Sequence, residues 1–69
     1  MKDIKLADGT IVQMREPKVR DMRISQEAKT DAEQEIKLIG NLTKMSMDEI
    51  DDLSLKDYTA LQTGLKSFL

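Results

Sequence analysis

Apolar residues recur along this chain with two different periods, and the change of period divides it. From Met1 to Glu16 they alternate: Ile4 and Leu6 share one parity, and Ile11, Val12 and Met14 follow Ala7-Asp8-Gly9-Thr10. Alternation marks a half-buried strand, so strands are expected over about 2–6 and 11–15. Asp8-Gly9 between two β-prone runs is a strong hairpin signal, because glycine accepts the positive φ of a type I′ turn. Two strands alone are marginal in water, so the apolar face of this hairpin must rest on something else.

Arg15-Glu16-Pro17 ends the second strand, since proline has no N–H for a ladder and biases Glu16 away from helix. Proline suits a first helical turn, and a helix over about 18–29 is expected to follow. Val19, Met22, Ile24 and Ala28 form its narrow apolar stripe among Lys18, Arg20, Asp21, Arg23, Gln26 and Glu27. The expectation is a solvated helix docked along that stripe.

Thr30 or Asp31 can cap the next helix, whose first turn carries acid where the helix dipole favours it. Ala32, Ile36, Ile39 and Thr43 form one row, with Leu38, Leu42 and Met45 beside it. So broad a face suits a helix touched from two sides, and Gly40 within it suits close approach of a neighbour at a cost of about 1 kcal/mol in helix propensity. Ser46-Met47-Asp48-Glu49 matches the capping box, in which serine and glutamate satisfy each other's backbone N–H groups. Ser54-Leu55-Lys56-Asp57 repeats it with aspartate. The helix it opens presents Leu55, Tyr58, Leu61, Leu65 and Phe68 or Leu69 at three-to-four spacing. The expected fold is α+β and mostly α: one small domain over 1–69, a hairpin over about 1–16 and three to four short helices over about 18–69.

Sixty-nine residues bury only about 60% of the surface their unfolded chain exposes, so the stability margin is thin. Cysteine and histidine are absent, which removes disulfides and the usual metal ligands as staples. No cofactor is expected. The N-terminus lacks the apolar core of a signal peptide, and no apolar run approaches the roughly 20 residues of a membrane span. A cytoplasmic, non-exported protein without a membrane role is the expectation. The net charge of −2 conceals a polarity: residues 1–30 carry seven Lys/Arg and five Asp/Glu, residues 31–69 four and eight.

Candidate chemistry is sparse. Asp48, Glu49, Asp51 and Asp52 form the densest acidic cluster, but they lack the glycine and spacing of a calcium loop and suit capping and a solvated face. Paired carboxylates in so short a chain have little room for a substrate pocket, and an enzyme is not expected. Asn41-Leu42-Thr43 fits a glycosylation pattern inside a helix, where it has no use. Four internal methionines, Met14, Met22, Met45 and Met47, read as core filler. The alternative function is a small nucleic-acid-binding regulator using Arg15, Lys18, Arg20 and Arg23, although no aromatic platform or base-reading set accompanies them.

Two segments carry a family resemblance. Arg15-Glu16-Pro17 with Val19 and Asp21 forms one motif; Leu38-Ile39, Leu42-Thr43, Glu49-Ile50-Asp51, Leu53, Asp57-Tyr58 and Leu61-Gln62 form the other. In order and spacing they resemble the tail assembly chaperones of contractile-tailed, Mu-like bacteriophages and related prophages. Met14, Lys18 and Lys44-Met45 depart from that pattern, the last where Gly-Leu is usual. The resemblance implies a factor that binds the tape measure protein during tail assembly and is absent from the virion. It also implies a longer frameshifted product from the same start as an associate. The stripe Tyr58, Leu61, Leu65 and Phe68 is the expected partner-binding surface, for the tape measure protein or for self-association.

Overall fold

The strands form where alternation places them, each one residue shorter than expected. In the computed structural model, which describes residues 1–69, β1 (Lys2–Lys5) pairs antiparallel with β2 (Ile11–Met14), Ile4 facing Val12. Four helices follow: α1 (Val19–Ser25), α2 (Asp31–Thr43), α3 (Met47–Asp51) and α4 (Leu55–Lys66).

The turn differs in type from the expected one. Type I′ needs positive φ at both central residues, and here Gly9 alone has it, at 90°. Gly9 N–H donates to the Leu6 carbonyl and Leu6 N–H to the Thr10 carbonyl, which makes a type I turn over Ala7-Asp8 with Gly9 in the bulge position. The Asp8 carboxylate accepts from Thr10 N–H at 2.9 Å, and that bond holds it below the usual carboxylate range.

The hairpin's inner face packs across α2 and α4. Ile4, Leu6 and Met14 join Ile39, Leu42, Ile50, Leu61 and Leu65 in one core, with Val12, Ile36, Leu38, Met45, Leu53, Tyr58, Ala60 and Phe68 around it. α2 is thus touched from more than one side, as its broad face suggests. A Cβ on Gly40 would stand 3.0 Å from the Met45 carbonyl and 3.3 Å from Ile50, so the returning turn and α3 use the space.

The serine caps form. Ser46 Oγ accepts from Glu49 N–H and Glu49 accepts from Ser46 N–H, at 3.1 and 3.0 Å. Ser54 Oγ accepts from Asp57 N–H, but Asp57 does not return the bond: its carboxylate accepts from Ala7 N–H at 2.8 Å and ties α4 to the hairpin. Thr30, not Asp31, caps α2. Lys44 ends that helix in the left-handed region, at φ 59°, and Met45 N–H reaches back to the Gly40 carbonyl. α4 stops at Lys66, with Phe68 in the turn beyond it.

α1 departs most from expectation. It spans seven residues instead of about twelve, and its docked edge is polar. Asp21 and Ser25 are buried, while Val19, Met22 and Ile24 are exposed. The reason is electrostatic: a buried ion pair, not an apolar stripe, orients the helix. The methionines divide accordingly, Met14 being fully buried, Met45 half-buried, and Met22 and Met47 exposed.

Candidate functional site

Arg15 leaves β2 and reaches into the start of α1. Its guanidinium donates to both oxygens of Asp21, at 2.7 and 2.6 Å, and the same carboxylate accepts from Lys18 N–H at 2.8 Å. Asp21 is 1% exposed. The arginine, followed by the Lys18 bond, holds its carboxyl down at about 2 against the opposing effect of burial. A buried carboxylate with three charge-assisted or backbone bonds is fully satisfied, so this cluster is a strut that fixes α1 against the segment that leaves β2. Pro17 lies one residue before the Lys18 cap, outside the first helical turn where proline was expected.

That geometry bears on the basic segment. Of Arg15, Lys18, Arg20 and Arg23, Arg15 is engaged internally, and the other three lie on exposed positions. Only the short α1 carries both of its exposed arginines, which is a small footprint for phosphate contacts.

The C-terminal stripe divides between core and surface. Leu61 and Leu65 are 0% and 5% exposed and belong to the core, whereas Tyr58 and Phe68 are half-buried at its rim. Tyr58 Oη donates to Glu35 Oε1 at 2.6 Å, and Gln62 Nε2 donates to the same oxygen at 2.7 Å. Burial, with Glu35 as the second cause, pushes the Tyr58 phenol above its ordinary range. One α2 carboxylate therefore fastens two turns of α4. The spacing of Tyr58 and Gln62 was visible in the sequence; their common partner 23 and 27 residues away was not.

The acidic cluster makes no site of its own. Glu49 is occupied as the capping partner of Ser46, and Asp48, Asp51 and Asp52 are exposed around α3. The largest groove, about 830 Å³, lies along the free side of β2 and is walled by Leu6, Val12, Leu42, Met45 and Leu53. Nothing in the sequence pattern pointed to it, because it depends on where the end of α2 meets the hairpin. No helix is long and apolar enough to cross a membrane.

Set against known proteins, the chain matches no curated protein and no solved structure. The sequence model of one family, described as "Phage tail assembly chaperone proteins, E, or 41 or 14", matches residues 4–69. That span takes in most of the hairpin, the Arg15–Asp21 strut and all four helices, and by it the chain belongs to the phage tail assembly chaperone family.

Proposed function

We propose that this protein binds the tape measure protein of its phage and keeps it soluble in the host cytoplasm until tail-tube subunits polymerise around it. It is then left out of the virion. Family membership over residues 4–69 carries this reading. The chemistry is compatible: a small body that offers apolar surface to an exposed amphipathic segment needs no catalytic group.

The client surface follows from the C-terminal stripe. Leu61 and Leu65, buried, hold α4 in place, and Phe68 with the edge of Tyr58 supplies the reachable part. Leu69, 85% exposed beside Phe68, extends it. Interfacial aromatics in such positions carry a large share of binding energy.

Capture of tape measure fragments by immobilised protein tests both parts. Wild type retains a fragment, and Phe68→Asp, with an unchanged circular-dichroism spectrum, retains it about tenfold less well. Equal capture by the two proteins removes Phe68 from the surface. No capture by wild type across the whole tape measure sequence removes the client itself.

A further inference from the structure

The free side of β2 holds backbone groups that nothing in the chain uses. Hydrogen-bonded and non-bonded residue pairs alternate along an antiparallel ladder. Leu6 N–H donates to the Thr10 carbonyl at 2.8 Å, so Ile4 with Val12, and Lys2 with Met14, are the bonded pairs that follow. The N–H and C=O of Ile11 and Gln13 then point away from β1, and no bond covers them. Arg15, next in that series, is closed off, because its N–H donates to the Leu42 carbonyl at 3.1 Å. The open edge borders the groove of about 830 Å³, where Val12, Met45 and Leu53 are half-buried. Free backbone groups two residues apart beside an apolar wall are what an added strand of polypeptide uses.

Shape and charge select the polypeptide. Glu49 of α3, with Asp52 and Leu53 just beyond that helix, forms the other wall of the groove. A folded copy of this chain offers only edges flanked by helix: α4 at β1, where Asp57 accepts from Ala7 N–H, and α2 at β2. A single extended segment enters such a slot, and a flanked edge does not. Arg15 is neutralised by Asp21, which leaves Lys44 alone against Asp8, Glu49 and Asp52. Backbone N–H bonds from Thr10 and Ser46 hold Asp8 and Glu49 below the usual carboxylate range, so both keep their charge. We infer that this edge takes an extended segment of another protein, one in which apolar residues alternate with lysine or arginine. Its backbone pairs with Ile11 and Gln13, its apolar side chains rest on Val12, Met45 and Leu53, and the flexible stems of its basic residues carry their charges to the acidic rim. The groove shares no residue with the C-terminal stripe, so this is a second surface and does not rest on the client reading.

An acetylated and amidated heptapeptide of alternating valine and lysine serves as the probe, and the same peptide with glutamate for each lysine as its control. Wild type is expected to bind the lysine peptide at least about tenfold more tightly than the control, more weakly at high salt, and with the amide resonances of Ile11 and Gln13 shifted most. Asp52 is exposed, so Asp52→Lys is expected to keep the fold and to lose about tenfold in affinity. Gln13→Pro removes an outward N–H that the chain leaves unused and is expected to lose binding with its spectrum unchanged. Asp31→Lys, an equal change of charge outside the groove, and Phe68→Asp are expected to bind as wild type does. No binding at about 1 mM lysine peptide overturns the inference. So does equal affinity for the two peptides, unchanged binding by Asp52→Lys, loss of binding in Asp31→Lys or Phe68→Asp, or amide shifts that spare Ile11 and Gln13. Light scattering at twice the chain mass of 7.9 kDa, with the Ile11 and Gln13 amides protected from exchange, would put a second copy on the edge and overturn it as well. Should Gln13→Pro not fold, Asp52→Lys and the two amides decide.

Discussion

Ile4 of β1 lies against the bare backbone of Gly64 in α4. A Cβ at position 64 would collide with Ile4 Cδ1, stand 3.1 Å from its Cγ1 and approach the Met14 sulfur at 3.8 Å. The hairpin sits on α4 at this depth because that helix gives up a side chain there. Gly64→Ala gains about 1 kcal/mol of helix propensity and incurs about 1–3 kcal/mol of overpacking. The expected net effect is a loss of about 1 kcal/mol by urea denaturation. Ile4→Val removes the colliding methyl, so the double variant is expected to be more stable than the sum of the two single effects, and additive losses would contradict the contact.

Pattern and caps made much of this fold legible beforehand, but contacts between elements did not show. Alternation with Asp8-Gly9 located the hairpin, and Thr30, Ser46 and Ser54 located three helix starts, because these signals act within four residues. Gly64 looked like an ordinary helical position, since its reason is a strand sixty residues earlier. α1 misled for the same cause: Val19, Met22 and Ile24 read as a docking stripe, while Asp21 was drawn inward by Arg15. The surface stripe suffered from a related ambiguity, because three-to-four spacing describes core and interface alike. Leu61 and Leu65 could be separated from Phe68 only by seeing which of them the hairpin covers.

The Arg15–Asp21 strut predicts an acid transition. The folded pKa of Asp21 is about 2, below the ordinary 3.8, so its contribution is fully present above about pH 4 and is lost as pH falls through about 2. The shift corresponds to stabilisation on the order of 2 kcal/mol. Asp21→Asn is expected to be less stable by about that amount at pH 6 and to show a flatter dependence between pH 4 and pH 2. Parallel pH profiles for variant and wild type would contradict the assignment.

Lys44 holds a left-handed conformation that glycine adopts without strain. Lys44→Gly is expected to stabilise the chain by about 0.5–1 kcal/mol, the left-handed strain relieved less the added freedom of the unfolded chain. Thermal denaturation checks the sign; a lower melting temperature would show that the lysine contributes something beyond its backbone.

Leu61 tests the division of the C-terminal stripe. Leu61→Ala is expected to cost about 2–5 kcal/mol, as for a fully buried leucine. Capture of tape measure fragments per folded molecule is expected to stay unchanged. A stable Leu61→Ala protein that no longer captures would move this residue from core to interface.

Solubility of the tape measure protein decides whether this chain is its chaperone. The tape measure protein of the same phage is expressed alone and together with this chain, and the soluble fraction is measured after centrifugation. Alone, the tape measure protein is expected to aggregate; together with this chain it is expected in a soluble fraction in which the two proteins co-migrate on size exclusion. An equally insoluble tape measure protein in the presence of abundant folded chain would contradict it.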